Sequence, residues 1–332
     1  MTAAIPVSSA DRPLRILYLA MASDYGDSAR GTSFEHDNFY PSFLKWRRTA
    51  ELRHFDFMAL GQTYGVPAMS RMLLDEVQRF EPDVLFGIWF NEERDPERPV
   101  LREISRTTPC RTVGWFCDSH WRYGNFDRPW SEYLDWQTTT SQSAYERFVA
   151  DGLGDKVIKT QWGAAPGYQR LPDADRDIDV SFVGQCYGSR AGVIEAIRQA
   201  GFSVQVFGAG WPPPAQRLTF PDLVRLFNRS RISLNLSNAV DSAFRQIKGR
   251  NFEVPACGTF MLTETAENLD SYFRFGEEIA TFDGMDDLIG KIRHYLAEPD
   301  ERERIATAGH HRSAIEHTYT HRFDQIFARM GL

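Results

Sequence analysis

Residues 248–264 read KGRNFEVPACGTFMLTE and join a charged segment to an apolar one. The apolar run after Gly258 is typical of a buried strand, and the segment before it has helical periodicity. We therefore predict a helix over 244–256, which Gly258 ends, and a strand over 258–264. A helix followed by a strand in this order is one step of an α/β fold with parallel strands.

Short apolar runs alternate with helical segments along the rest of the chain, which predicts βα units and parallel sheets. The other predicted strands are 15–20, 52–57, 83–90, 111–117, 136–141, 157–162, 177–184, 203–210, 231–237 and 277–283. The other predicted helices are 68–80, 189–200, 219–229 and 285–297. Residues 163–177 are rich in Gly, Pro and Asp and predict a linker. The chain is thus expected to form two open α/β sheets in tandem.

The composition supports two cores and argues against several classes of protein. With 332 residues, 42% of them hydrophobic, the chain is long enough for two compact domains. Its formal net charge is −7, whereas nucleic-acid-binding proteins carry a basic surface, so no nucleic-acid partner is expected. Four cysteines without a CxxC pair indicate reduced thiols in a cytoplasmic protein. The first apolar run, ILYLAMA, is too short for a signal sequence or a membrane span.

A glycine-rich loop is predicted where the first strand of the second half ends, in FVGQCYGSR over 182–190. Gly184 and Gly188 would let the backbone approach an anion, and the next helix would offer unpaired N–H groups. Arg190 adds a fork of donors that suits a phosphate. A tight βα turn with a surface arginine remains the alternative.

Lys248, Arg250 and Glu253 extend this predicted nucleotide site. In a helix over 244–256, Glu253 would lie near the C-terminal end, where the helix dipole disfavours a carboxylate, so its placement requires a reason. A carboxylate can accept both hydroxyls of a ribose, while the two cations match the phosphates. Gly258 would end the helix so that Thr259 begins the strand without covering the pocket. The alternative is a solvated pair between Arg250 and Glu253.

Asn235 and Asn238 follow a predicted strand in ISLNLSN over 232–238. Their side chains could reach a base or a phosphate. They could equally cap the next turn, which is a common role of asparagine.

Candidate catalytic residues of the first half follow the strand that ends in GWFCDSHW, over 114–121. Asp118 and His120 stand where a general base should face a cleft, although Asp118 could instead cap the next turn. The loop after the first strand offers His36 as a rival base. In the same loop, Gly31 and Thr32 could approach the donor phosphates. Glu35 and Asp37 are two further rival bases.

Two further patterns carry less weight. His317 and His321 have metal-ligand spacing for one helix, but no third ligand accompanies them, so we expect a solvated helix face and no metal site. Residues 40–49, YPSFLKWRRT, mix aromatic and basic residues as a membrane-surface helix does. Weak membrane-surface association therefore stays an alternative to ordinary amphipathic packing.

The pattern K-x-R-x-F-E-x-P-A-C-G-x-x-x-L-T-E, over 248–264, resembles the signature of group 1-like glycosyltransferases of the spore-maturation CgeB type. The likeness continues in ISLNLS, in the segment 277–312, and in HTYTHRF over 317–323. It is specific over roughly 178–325, whereas the first half is similar in architecture alone.

The resemblance implies the GT-B fold, in which two Rossmann-like domains with parallel sheets face each other across a cleft. It implies an acceptor domain over 1–165, a nucleotide-sugar domain over 166–310, and a C-terminal helix over 311–332 that crosses back to the first domain. The glutamate matching Glu253 holds the ribose in such enzymes. Many relatives carry a second glutamate eight positions earlier, where this chain has Arg245, so the donor sugar and the stereochemical outcome are not carried over.

The function implied is that of a hexosyltransferase-type enzyme, which uses a UDP-, GDP- or dTDP-sugar and an acceptor that is a glycan, a protein or a small molecule. No metal is expected, because Lys248, Arg250 and Arg190 would neutralise the leaving diphosphate. Two alternatives remain, a non-catalytic nucleotide-sugar-binding or assembly protein and a sugar-nucleotide epimerase of the same fold.

Overall fold

The computed structural model describes residues 12–91, 93–172, 174–213, 217–239 and 244–332. The chain divides into two compact units. The first unit is Met1–Gln161 together with Tyr319–Leu332, and the second is Trp162–Thr318. The segment predicted as a linker therefore lies in the second unit, where Ala164 N donates to His317 O at 2.8 Å.

The described strands are β1 Leu14–Leu19, β2 Thr49–Phe55, β3 Val84–Ile88, β4 Arg111–Trp115, β5 Trp136–Thr139, β6 Val157–Lys159, β7 Ile178–Val183, β8 Val204–Phe207, β9 Ser230–Asn235, β10 Phe260–Glu264 and β11 Ala280–Phe282. The described α-helices are α1 Phe34–Lys45, α2 Phe57–Tyr64, α3 Val66–Phe80, α4 Arg98–Thr107, α5 Ser119–Arg122, α6 Arg128–Trp130, α7 Gln142–Ala150, α8 Arg190–Gln199, α9 Phe220–Arg229, α10 Arg250–Ala256, α11 Gly284–Ala297, α12 Pro299–Glu316 and α13 Tyr319–Arg329.

Each unit is built on one parallel sheet. The first sheet has the order β2-β1-β3-β4-β5-β6 and the second the order β11-β10-β9-β7-β8. All strand pairings in both sheets are parallel. Apart from Arg15, β1 is apolar and buried, as expected where helices cover both faces of a sheet. The predicted α/β fold with two parallel sheets is confirmed.

The last helix, α13, completes the core of the first unit. Phe323 stacks on Phe43, with ring centroids 3.9 Å apart. Trp46 is 3% exposed, and its ring nitrogen donates to Asp324 at 2.9 Å. Packing against α13 thus accounts for the tryptophan of residues 40–49. Within the described residues, no helix has the length and apolar character needed to cross a membrane.

The predicted helix over 244–256 is wrong in its first half, because α10 begins only at Arg250. The preceding residues pair with the loop after β9 instead. Gln246 N donates to Ser237 O, and Ala239 N donates to Phe244 O, both at 2.9 Å. These backbone bonds flank an antiparallel bridge between Asn238 and Arg245, a geometry that the periodicity of apolar residues does not register. As a result, Lys248 precedes the helix.

The histidines near the C-terminus also differ from expectation. Residues 317 and 321 do not share a helix, since α12 ends at Glu316 and α13 begins at Tyr319. His317 is buried rather than solvated, and its Nε2 lies 2.7 Å from Tyr272 O. Among the described residues there is no group of three His, Cys, Asp or Glu side chains that could hold a metal ion.

Candidate functional site

The second sheet reverses its direction of winding at β7, which lies between β8 and β9. Ligands of open α/β sheets bind beyond the carboxyl ends of the strands at such a switch point. The loop between β7 and α8, the loop after β9, and the start of α10 meet at this edge. These three segments contain most of the predicted nucleotide-binding residues.

Arg190 joins the two loops of this switch point. It is 5% exposed, and its guanidinium stacks on the Tyr187 ring at 3.8 Å from the ring centroid. Nη1 donates to Gln185 O at 3.0 Å, and Nη2 to Leu236 O at 3.0 Å. Nε donates to Asn238 Oδ1 at 3.1 Å. Burial lowers the pKa of this guanidinium. Because its donors bind protein oxygens, Arg190 holds the loops after β7 and β9 together. Its direct contact with phosphate stays a prediction.

Gly184 is a point of close backbone approach in the same loop. Its N–H donates to Phe207 O at 2.9 Å, and its carbonyl accepts from Trp211 Nε1 at 2.8 Å. Gly208 has a φ of +133°, and a Cβ there would lie 2.3 Å from Gly184 O. The loop after β8 can therefore approach Gly184 this closely only because residue 208 is glycine.

Glu253 is fully buried at the middle of α10, which ends at Ala256 as predicted but starts only at Arg250. Because Glu253 lies as near to the start of this short helix as to its end, the dipole does not specifically disfavour it there. Its burial supplies a stronger argument. Neither carboxylate oxygen has a hydrogen-bond partner among the described residues. The nearest cation is at 3.8 Å, from Arg250 Nη1 to Glu253 Oε2.

Burial raises the pKa of the Glu253 carboxyl. Arg250 and, more weakly, the Tyr168 hydroxyl lower this pKa, although that hydroxyl forms no hydrogen bond of good geometry with either oxygen. A buried carboxyl without partners is costly and requires an explanation, such as a ligand that supplies the missing donors.

Lys248 and Arg250 flank the start of α10. Lys248 is half-buried, and its backbone N–H donates to Asn251 Oδ1 at 2.9 Å. The Arg250 side chain is 28% exposed. The structure thus brings the two predicted phosphate ligands and Glu253 to one helix start.

Three other predicted binding residues are held within the protein. Asn235 is buried, and its Nδ2 donates to Thr263 Oγ1 at 3.0 Å, which ties the ends of β9 and β10 together. Gly258 ends α10 with a φ of +68°, and Thr259 Oγ1 donates to Phe227 O at 2.7 Å. Gly258 and Thr259 lie at the amino edge of β10, so the structure does not bring them to the carboxyl edge where the other predicted residues lie.

In the first unit, Asp118 comes three residues after β4 ends. Its backbone carbonyl accepts from Trp121 and Arg122, so it begins α5. Its carboxylate makes no capping bond, which leaves that group for another role. His120 lies two residues further on and is half-buried. Asp118 and His120 are therefore placed at the carboxyl edge of the first sheet, as predicted from the strand that precedes them.

His36 lies on α1, beside a different part of the same sheet. Its ring stacks on Tyr40 at a centroid distance of 4.9 Å and lies 5.2 Å from the His54 ring of β2. Burial, and then His54, lower the pKa of His36. The strand order puts β1 and β3 between β2 and β4, so His36 packs on the β2 side while Asp118 follows β4.

Sequence reasoning missed several residues at these edges. Glu264 ends β10, and its Oε2 accepts from Ser237 N at 2.7 Å; its position at the end of a predicted strand could have identified it. Tyr25 and Trp121 expose 49% and 61% of their surface. Tyr25 also has a φ of +52°, for which the sequence gives no signal.

Residues 190–328 match a protein-family model described as "Glycosyl transferase-like". No curated protein matches the chain in sequence. Solved structures that match nearly the whole chain include Anabaena Alr3699/HepE in complex with UDP, at 11% identity and a TM-score of 0.64, with 95% of this chain and 99% of that chain covered. Another is sucrose-phosphate synthase from Thermosynechococcus elongatus, at 10% identity and a TM-score of 0.66, with 96% and 99% covered.

A UDP-GlcNAc 2-epimerase from Neisseria meningitidis bound to UDP-GlcNAc is also similar, at 12% identity and a TM-score of 0.53, with 95% of this chain and 98% of that chain covered. Identities this low establish a shared fold and no more. The fold is GT-B, as the resemblance implied, and the family match places glycosyltransferase-like sequence over most of the second unit.

Proposed function

We propose that this protein is a glycosyltransferase of the CgeB type, which binds a nucleotide diphosphate sugar in its second unit and transfers the sugar to an acceptor bound by the first. The observation that carries this proposal is Glu253, a fully buried carboxyl whose oxygens accept no hydrogen bond from the described residues. The match to glycosyltransferase-like sequence covers this residue and both neighbouring cations.

A ribose supplies what Glu253 lacks. Two adjacent hydroxyls can each donate to one carboxylate oxygen, and such charge-assisted bonds are stronger than neutral ones. Arg250, whose Nη1 is 3.8 Å from Oε2, favours the ionised form that accepts both bonds. The HepE structure, which has the same fold, contains UDP, and this supports a uridine nucleotide as the first to test.

Lys248 and Arg250 are proposed to bind the diphosphate. In the transfer, the bond between the anomeric carbon and the diphosphate oxygen breaks, and a bond from the acceptor oxygen to that carbon forms. Negative charge then develops on the leaving diphosphate, where fixed cations stabilise it most. Arg190 contributes indirectly in this proposal, because it holds together the loops that surround the phosphates.

In the first unit, Asp118 is proposed to take the proton of the attacking acceptor hydroxyl. Its carboxylate follows β4 at the carboxyl edge and is not used for capping. His120 and His36 are the rival bases. Their assignment depends on whether the transfer inverts the anomeric carbon, since a retaining reaction need not use such a base.

The deciding experiment compares two buried glutamates of the second unit. Glu253→Gln should weaken UDP, measured by calorimetry, by about 1–3 kcal/mol, because one acceptor oxygen is lost. The control is Glu278→Gln, since Glu278 is 5% exposed but accepts from Arg274 N at 2.8 Å and pairs with the Arg274 side chain. This control should destabilise the fold and leave the nucleotide affinity unchanged.

The outcomes separate a binding role from a structural one. If Glu253→Gln unfolds the protein while binding per folded molecule is unchanged, the site assignment fails. GDP and dTDP tested beside UDP identify the nucleotide. Product analysis by NMR distinguishes a transferase, which releases the nucleotide diphosphate, from an epimerase, which returns a changed sugar nucleotide, and from a binder that does neither.

A further inference from the structure

Aromatic side chains follow neighbouring strands at the carboxyl edge of the first sheet, and two of them, Tyr25 and Trp121, are exposed. Tyr25 lies in the loop after β1, Phe90 in the loop after β3, and Trp121 on α5 after β4. Because β1, β3 and β4 are neighbours in the sheet, these loops share one edge. The reversal of strand order at β1, between β2 and β3, makes this edge the ligand-binding switch point of the first unit.

Contacts hold these loops together around Phe90. Phe90 N donates to both carboxylate oxygens of Asp95, at 3.0 and 3.1 Å, and Phe90 O accepts from Arg122 Nη2 at 2.5 Å. The Tyr25 ring meets the Phe90 ring edge-on, with centroids 6.3 Å apart. The backbone of Phe90 is thus fixed on both sides, and Tyr25 packs against a rigid neighbour.

Tyr25 adopts a conformation that a tyrosine rarely takes. Its φ of +52° and ψ of 25° place it in the left-handed region, where a side chain costs about 1 kcal/mol or more. The residue nevertheless stays 49% exposed, so only about half of its surface is buried against this cost. A ring held at the surface against its backbone preference points to a role in binding.

The charges around the rings favour a neutral ligand. Burial, and then the carboxylates of Asp24, Glu35 and Asp118, raise the pKa of the Tyr25 hydroxyl, against a smaller lowering by Arg30. Arg30 lies over the Tyr25 ring but is paired with Asp24 at 2.8 Å, Arg122 donates to Phe90 O, and Arg94 Nη1 donates to Tyr25 O at 3.4 Å. Each of these cations contacts a protein oxygen, so a neutral ligand suits this edge better than an anionic one.

We infer that this edge binds a neutral carbohydrate as the acceptor of the transfer, with the Tyr25 and Trp121 rings against the apolar C–H face of a sugar ring. Carboxylates beside the rings, Asp118 among them, accept from the sugar hydroxyls. This inference rests on the proposed function, because it names the acceptor class of the same reaction. An aromatic face with neighbouring hydrogen-bond acceptors suits the amphipathic surface of a pyranose.

The test uses the full chain on an array of neutral, sulfated and sialylated oligosaccharides, with vesicles containing polyprenyl phosphate as a separate arm. The neutral oligosaccharide that binds best is then titrated by calorimetry. Tyr25→Gly and Trp121→Ala should each weaken it about tenfold. Glycine adopts the left-handed conformation without cost, so Tyr25→Gly removes the ring without straining the fold. Tyr25→Phe keeps the ring and should keep most of the affinity.

Tyr64→Ala is the matched control, since Tyr64 is 59% exposed at the end of α2, and it should leave the affinity unchanged. The inference is overturned if no neutral oligosaccharide binds, if anionic ligands or vesicles bind instead, or if the ring variants behave like the control. UDP titrations of the same preparations test the proposed function separately. UDP binding without oligosaccharide binding leaves the transferase proposal standing, and the reverse result removes it while retaining the sugar site.

Discussion

Two charged side chains at the switch point of the second sheet, Arg190 and Glu253, are buried, whereas the first sheet presents exposed aromatic rings at its corresponding edge. Arg190 is 5% exposed and donates to two loops, and Glu253 is fully buried. Tyr25 and Trp121, in contrast, expose about half of their surface or more. A buried, preorganised site suits one fixed ligand such as a nucleotide, and an exposed one suits ligands that vary in length.

The largest expected effect belongs to the first unit. Asp118→Asn should lower donor turnover by about 10²–10⁴-fold, because a general base contributes on that order, while UDP affinity stays unchanged. Steady-state release of UDP from the donor measures this. Asp155→Asn, an exposed carboxylate of the same unit, is the control and should keep full activity. Full turnover in Asp118→Asn would pass the role to His120 or His36, or indicate a retaining reaction.

The next largest effect tests whether the nucleotide site of the second unit depends on the hydrogen bonds of Arg190. Arg190→Ala should lower the free energy of unfolding by about 3 kcal/mol, because it removes charge-assisted hydrogen bonds and leaves buried carbonyls unpaired. UDP affinity should fall with it. Denaturant unfolding compares it with Arg198→Ala, an exposed arginine of the same helix, which should be neutral. Unchanged stability in Arg190→Ala would mean that water replaces the guanidinium. The nucleotide site would then depend no more on buried hydrogen bonds than the aromatic edge of the first sheet does.

A smaller effect concerns pH. Burial raises the pKa of Glu253 above its ordinary value of 4.5, so between these two pKa values the folded state binds more protons than the unfolded state. Stability from this residue is therefore complete below 4.5 and is lost as the pH rises through the folded pKa. Glu253→Gln should gain stability relative to the wild type as the pH rises across that range, measured by urea unfolding. A difference that does not change with pH would show that the carboxyl titrates normally.

The last prediction is that removal of divalent metal ions does not change turnover. If the cations near α10 neutralise the leaving diphosphate, turnover should survive EDTA at full rate. Loss of activity in EDTA, restored by added magnesium or manganese, would contradict this mechanism and would assign part of the phosphate charge to a metal ion.

Local patterns were sufficient to predict most of the fold. Apolar runs predicted the strands of both sheets, and periodicity predicted α8, α9 and α11 to within one residue at either end, since each forms from neighbours in sequence. The start of α10 was mispredicted, because backbone bonds from Ser237 and Ala239 hold residues 244–246 in an extended arrangement. The antiparallel bridge between Asn238 and Arg245 is a backbone pairing, and the periodicity of apolar side chains does not reveal it.

For the candidate sites, residue types were predictable and their partners were not. Glycine and arginine after a strand indicated the loop at Gly184 and Arg190, but not that carbonyls of the next loop engage the guanidinium. The motif indicated Glu253, although the late start of α10 removes the argument from the helix dipole and the burial of Glu253 was not foreseen. The left-handed Tyr25 depends on its surroundings and could not be read from the sequence.

The position of α13 has a consequence for synthesis on the ribosome. The chain leaves the first unit after Gln161 and returns at Tyr319, and the two points are joined where Arg322 Nε donates to Gln161 O at 3.2 Å. Phe43 and Trp46 therefore cannot pack against Phe323 and Phe327 until those residues of α13 have been synthesised. The unit whose synthesis begins first therefore acquires its complete aromatic core only after α13 has been made.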